Sequence, residues 1–290
     1  MGVCCGKPSA SSTYTDPQQS PTPLKPEPVP KGPTTQGAGL PAEWVVISPL
    51  PSTDPNWKDW TEQKILDLAP RMPKVEGPIV GAKDPLGSIT YYGQYKNGMR
   101  HGRGRLVWSD GTVCEGYWEN DKQQGPGKKL GEGIDPYVYE GEFQNGLYHG
   151  KGKYHESEED ITYEGDFEFG VRTGKGTLKT QESTYTGDFK DGQYHGKGKL
   201  DFNGSRWYEG GWHKNEMHGY GEFHWRDGRY YKGQYLHDKK SGKGEFKFEN
   251  GNIYNGLWQD GMQHGEGIFT EKGQAPKAGV WEKNILKSWK

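Results

Sequence analysis

A chain of 290 residues with 30% hydrophobic content, a mean hydropathy of −1.06 and a net charge of −2 excludes a large aliphatic core. It carries instead 11 Trp, 18 Tyr, 9 Phe and 46 Gly, so a fold must rest on flat rings and close backbone approach. Residues 1–90 hold 8 Lys/Arg against 9 Asp/Glu and the remainder 29 against 30, which excludes a bulk basic surface for nucleic acid.

No apolar run approaches the roughly 18 residues of a transmembrane helix, and no signal-peptide core follows Met1. Of three cysteines two are adjacent, Cys4 and Cys5, which gives no disulfide framework and suits a reducing, cytoplasmic setting.

In chain order, residues 1–40 read as a disordered tether. Gly2 behind the initiator Met is the acceptor that N-myristoylation requires, and Cys4 and Cys5 are natural S-palmitoylation sites. One acyl chain holds a protein only marginally, so the cysteines supply the second signal. Gly6 stands where the usual motif has Ser or Thr. From Pro8 to about Leu40 the Pro/Ser/Thr/Gln/Gly composition predicts a solvated linker with polyproline II bias.

Residues 41–90 read as an N-terminal capping segment. Glu43–Ile47 is a short strand-like run. Thr53-Asp54-Pro55 is a helix start, Trp57, Trp60, Ile65 and Leu68 fall near one face, and Pro70 stops the helix.

From Tyr91 onward one unit recurs. The pattern Y-x-G with an aromatic two places on begins at Tyr91, Cys114, Tyr139, Tyr163, Tyr185, Tyr208, Tyr231, Tyr254 and, degenerate, Lys277. The spacings lie between 22 and 25 residues, a period that signals a repeat architecture. Within a unit the period is two: Tyr139, Gly141 and Phe143 on one strand face, Glu140 and Glu142 on the other. Asn145-Gly146 supplies a turn with positive φ, and the return strand sets Gly150, Gly152 and Tyr154 against Lys151 and Lys153. Bare glycines leave backbone on which rings can lie, while acids and lysines pair on the opposite face. Second turns at Asp110-Gly111, Asn203-Gly204, Asp227-Gly228 and Asn250-Gly251 join one hairpin to the next. The expected fold is all-β: an elongated, twisted antiparallel hairpin ribbon of eight repeats plus a degenerate C-terminal fragment over residues 91–290, the eight repeats roughly 75 Å long at about 4.8 Å per strand.

This unit resembles the MORN (membrane occupation and recognition nexus) repeat, whose pattern runs close to YEGEW-x-x-G-K-x-H-G-x-G. Cys114 replaces the first tyrosine, and Asp121, Asn215 and Asp238 replace the turn glycine, which is expected to weaken single positions. The resemblance implies a twisted β-sheet rod with roles in membrane-associated scaffolding, cytoskeletal and ciliary assembly, and oligomerisation.

Gly146–Lys151 is one residue short of a phosphate loop and lacks the following Ser/Thr. His101, His149, His195, His218 and His264 recur at one repeat position, but successive ones sit two strands, about 9.6 Å, apart, too far for one zinc ion. No catalytic residues, cofactor or metal are expected.

The aromatic face (Tyr139, Phe143, Tyr163, Phe167, Tyr185, Phe189, Tyr208, Trp212 and Trp258) offers itself for packing within the sheet or for a partner helix or second array. The lysine stripe (Lys151, Lys153, Lys175, Lys197, Lys199 and Lys243) offers ion pairs with the adjacent acids or contact with anionic lipid. The reading that follows is a non-enzymatic scaffold. It would be held by acyl chains at the cytoplasmic face of a plasma or ciliary membrane and join it to cytoskeletal or ciliary protein partners. An axonemal, radial-spoke-like component and a phosphoinositide-binding regulator of a lipid enzyme are the alternatives. A homo-oligomer is compatible with each, and nucleic acid is not expected as a partner.

Overall fold

The structure, a computed structural model, describes residues 45–47, 80–83, 88–131 and 136–290. The expected tether, its Gly2, Cys4 and Cys5, and the expected helix after Thr53 lie outside the described residues. Every described regular element is a β-strand, and every strand pairs antiparallel. The repeat region is the hairpin array that the sequence predicts.

Two compact units divide the array, Lys25–Asn215 and Glu216–Lys290. In the first, β1 (Val45–Ile47) pairs with β2 (Val80–Lys83), and β2 with β3 (Ile89–Lys96). Within the strand-like run, Val45–Ile47 is therefore a strand, and Val80–Lys83 is one that the sequence reading does not place. Ten further strands follow as consecutive neighbours. They are β4 (Met99–Trp108), β5 (Val113–Glu119), β6 (Lys122–Gly131), β7 (Tyr137–Gln144), β8 (Leu147–Glu156), β9 (Ile161–Glu168), β10 (Val171–Lys179), β11 (Thr184–Lys190), β12 (Gln193–Asp201) and β13 (Arg206–His213).

The second unit holds β14 (Glu216–Trp225), β15 (Tyr230–Leu236), β16 (Lys239–Lys247), β17 (Ile253–Gln259), β18 (Met262–Thr270), β19 (Lys277–Glu282) and β20 (Ile285–Trp289). These are joined in the same sequential way.

Each repeat is one hairpin closed by two left-handed residues, as at Asn145 (φ 53°) and Gly146 (φ 82°). That geometry matches the twist of the strands it joins. Between hairpins, Asp110, Asp227 and Asn250 accept the backbone N–H of Thr112, Arg229 and Asn252 through their side chains. These Asx turns fix the second set of connections.

The return strand departs from a plain ladder. Gly141 faces Gly152, yet Glu142 faces His149, so Gly150 and Lys151 form a bulge. Gly150 takes φ 60°, and a Cβ there would meet the Glu142 carboxylate at 2.6 Å. The two glycines of the G-x-G therefore have different jobs. Gly152 lies under a ring, whereas Gly150 turns the bulge, a correction to the expectation that both seat aromatics. Because the bulge adds two residues, the alternation of faces is preserved across it.

Candidate binding surface

One face of each hairpin is closed by its own rings. The Tyr139 ring lies over Gly141 and Gly152, where added Cβ atoms would sit 2.5 Å from its hydroxyl oxygen. That hydroxyl donates to the Glu142 carbonyl at 2.8 Å, and the Tyr163, Tyr185, Tyr208, Tyr231 and Tyr254 hydroxyls donate to the carbonyl three residues on in the same way. Phe143 and Phe167 meet the Tyr139 ring edge-on at 5.1 and 5.3 Å, so the tyrosine of one repeat is held by its own repeat and the next. Tyr185 repeats the arrangement with Phe189 and Trp212. Burial pushes the Tyr139 and Tyr185 hydroxyls well above the ordinary phenol range.

All nine residues of the expected aromatic face are buried, from 0% exposed at Tyr139 to 6% at Trp258. The sheet's own packing covers these rings.

A second buried row escapes sequence reading. Arg100, Gln123, Tyr148, Arg172 and Tyr194 in the first unit, and Met217, Lys240 and Gln263 in the second, occupy one repeat position and are all buried. Tyr148 stacks on Tyr139 and Tyr194 on Tyr185, both at 3.7 Å. Arg172 lies 5.5 Å over Tyr163, and Lys240 is ringed by Trp225, Tyr231, Phe246 and Trp258 at 4.5–5.6 Å. Only the position, two residues before the first glycine of each G-x-G, signals this row. Arg100, Tyr148, Arg172, Tyr194 and Lys240 share no chemistry except that each lies against the ring of a repeat tyrosine.

The turn substitutions strengthen the structure. Asp121 and Asn215, at φ 67° and 69°, donate their N–H to the carbonyls of Arg100 and Tyr194, and their side chains accept the N–H of the same residues. In the second unit Asp238 makes the same pair of bonds to Met217. Gly146, Gly170 and Gly192 make the first bond only. The expected weakening at Asp121, Asn215 and Asp238 is thus corrected: the side chain adds a second link to the preceding repeat. Where Cys114 replaces the tyrosine, Gln123 takes up the vacated space and donates to the Glu115 carbonyl at 2.9 Å.

The opposite face carries the charges. Lys151 pairs with Asp166 at 2.6 Å, Lys175 with Asp188 at 2.7 Å and Lys128 with Glu140 at 2.6 Å. Asp166 and Asp188 also accept the bulge amides of Lys175 and Lys197, both at 2.9 Å. The Lys175 ammonium and the Lys197 amide hold the Asp188 carboxyl below its usual range. Lys153 faces Glu140 and Glu164 in register, Lys199 lies 4.6 Å over Trp207, and Lys243 faces Leu257. The Lys151 and Lys175 side chains remain 74% and 81% exposed while paired. His149 and His195 each meet a ring of the next repeat, Phe169 at 5.4 Å and His213 at 5.1 Å. Among the described residues, no group of three or more His, Cys, Asp or Glu is placed to hold a metal ion.

Hairpins that interlock through their own rings and expose a charged face define a repeat-based binding scaffold. The MORN repeat family model matches residues 91–113, 114–131, 139–155, 163–181, 185–206, 208–228, 231–253 and 254–270. These segments cover more than half of the chain, which belongs to the MORN repeat family. They begin at the same eight residues that open the sequence repeat. No curated protein matches the chain. Among solved structures, similarity is found to the TCP domain of SAS-4 (dCPAP) of Drosophila melanogaster in complex with a proline-rich motif of Ana2 (dSTIL). The identity is 10% and the TM-score 0.34, over 65% of this chain and 99% of that one. A likeness at that level carries no argument about function.

Proposed function

We propose that this chain is a non-enzymatic, membrane-tethered scaffold in which the repeat array presents its charged face to protein partners of the cytoskeleton or cilium. The observation that carries the reading is the division of labour between faces. The rings from Tyr139 to Trp258 are buried, while the Lys151–Asp166 and Lys175–Asp188 pairs lie outward. Gly2, Cys4 and Cys5 support attachment of this array to the cytoplasmic side of a membrane through two kinds of acyl chain. Metabolic labelling with a myristate analogue, beside proximity labelling of wild type and Gly2→Ala, tests the reading. Label on wild type alone, with membrane and cytoskeletal neighbours lost in the variant, is the expected result. Equal labelling of both would remove the anchor from the account.

The exposure of Lys151 and Lys175 favours one second reading, contact between the lysine stripe and phosphoinositide headgroups. Flotation of the Gly2→Ala chain with liposomes distinguishes it: binding that rises with phosphoinositide content supports headgroup contact, and a flat response counts against it.

A further inference from the structure

The second unit brings together two histidines that occupy different repeat positions. His218 is one of the five that recur along the chain, and successive members of that set stand too far apart to share an ion. His237 lies instead at the tip that joins β15 to β16. Its ring is 5.8 Å from that of His218, centre to centre, with an interplanar angle of 67°.

The backbone holds the pair in place. The Asp238 N–H donates to the Met217 carbonyl at 3.1 Å, and the Asp238 carboxylate accepts the Met217 N–H at 2.7 Å. Met217 precedes His218 and Asp238 follows His237, so both histidines flank one doubly bonded junction. Glu216 and His218 lie two residues apart on β14 and project to the same face. The His237 ring meets both of them, and its Nδ1 lies 2.6 Å from Glu216 Oε2. A carboxylate only accepts, so Nδ1 carries the proton and Nε2 keeps a lone pair. Edge contact between two rings is by itself ordinary packing. A carboxylate on the far nitrogen is a second and independent feature, the one that orients metal-ligating imidazoles and raises their basicity.

The dimensions suit a single ion. With Zn–N bonds of about 2.1 Å, two imidazoles on a tetrahedral ion have ring centres about 5 Å apart. The observed 5.8 Å is a small side-chain rotation from that value, and the His237 side chain is 64% exposed and has room to make it. Local charge favours a cation. The acids Glu216 and Asp238 adjoin the rings, while Lys239, next in sequence, pairs with Asp260 at 3.8 Å.

We propose that His218 and His237 together chelate a divalent transition metal of the zinc class, with Glu216 as the residue that positions His237. Imidazole nitrogen suits this class of ion, and two protein ligands leave the remaining tetrahedral positions to water.

The test titrates the full-length chain with zinc chloride by calorimetry, beside His218→Gln, His237→Gln and Glu216→Gln. Each histidine variant is expected to bind one ion fewer than wild type, a difference that discounts zinc taken up elsewhere in the chain. Glu216→Gln is expected to keep the site with about tenfold weaker affinity. Circular dichroism of the three variants is expected to match wild type. A measurement on wild type alone makes the test independent of any variant's folding: zinc is expected to shield His218 and His237 from diethyl pyrocarbonate, mapped by mass spectrometry. Equal stoichiometry in wild type and both folded histidine variants overturns the inference, as does modification of the two rings at one rate with and without zinc. Unchanged affinity in Glu216→Gln overturns the positioning role given to Glu216.

Discussion

Asp121 and Arg100, 21 residues apart, clasp each other through backbone and side chain together. The Asp121 carboxylate accepts the Arg100 backbone N–H at 2.9 Å and its Nε at 3.1 Å. The Asp121 carbonyl accepts Arg100 Nη2 at 3.0 Å, and the Asp121 N–H returns to the Arg100 carbonyl at 3.0 Å. The Arg100 and Asp121 side chains are only 10% and 3% exposed. Both groups of this pair are nearly dry, and the Arg100 guanidinium also lies 4.9 Å over Trp118.

Removing one partner should therefore be expensive. Asp121→Gly keeps a residue suited to φ 67° but leaves the buried guanidinium without its carboxylate. A loss of about 3 kcal/mol is expected by chemical denaturation, as for a broken buried pair. Asn215→Gly removes one neutral hydrogen bond at the equivalent turn and is expected to lower stability by about 1 kcal/mol. Equal effects at the two sites would show that the charge pair contributes nothing beyond the turn.

The glycines of the repeat should separate by job. Gly152→Ala drives a methyl into the Tyr139 ring, 2.5 Å from its hydroxyl, and a loss of about 3 kcal/mol or more is expected from forced repacking. Gly146→Ala meets no atom within 4 Å and suffers only from φ 82°, so about 1 kcal/mol is expected. Thermal melts of the two variants give the comparison directly.

Tyr139 itself contributes through ring and hydroxyl in different measure. Tyr139→Phe loses the bond to the Glu142 carbonyl and should lower stability by about 1 kcal/mol. Tyr139→Ala empties the seat over two glycines and should lower it by about 4 kcal/mol.

Acid should weaken the charged face. The Asp188 carboxyl is held below its usual range by the Lys175 ammonium and the Lys197 amide. For Asp166, partial burial pushes upward, but Lys151 and the Lys175 amide outweigh it and the carboxyl again lies low. A group whose folded pKa is depressed stabilises the fold above its unfolded pKa, and that contribution fades as pH falls through the folded value. Stability should thus decline as pH drops below about 4, and less steeply in Asp188→Asn than in wild type. Identical slopes would remove the pair from the account.

Much of this architecture is legible in the sequence because it repeats. The period, the Asn-Gly turns, the ring seat over Gly141 and Gly152 and the outward charges all follow from residue types at fixed spacing. Three features are not legible, for physical reasons. The bulge at Gly150 and Lys151 adds an even number of residues, so the alternation of faces runs through it undisturbed. The buried row of Arg100, Tyr148, Arg172 and Lys240 hides because cations and rings cover a tyrosine equally well, leaving no common residue type. The Asp121 and Asn215 links reach back to the preceding repeat, a partner that local turn chemistry does not reveal.

The central claim is that the repeated tyrosines build the sheet and leave binding to the residues around them. Tyrosine nitration of the native chain, mapped by mass spectrometry, tests it most directly, since the reaction needs a solvent-accessible phenol that can ionise. Tyr220, 57% exposed, should be modified, while Tyr139, Tyr163, Tyr185, Tyr208, Tyr231 and Tyr254, each 0% exposed, should react only after unfolding. Nitration of those six in the folded protein at the rate of Tyr220 would contradict the account.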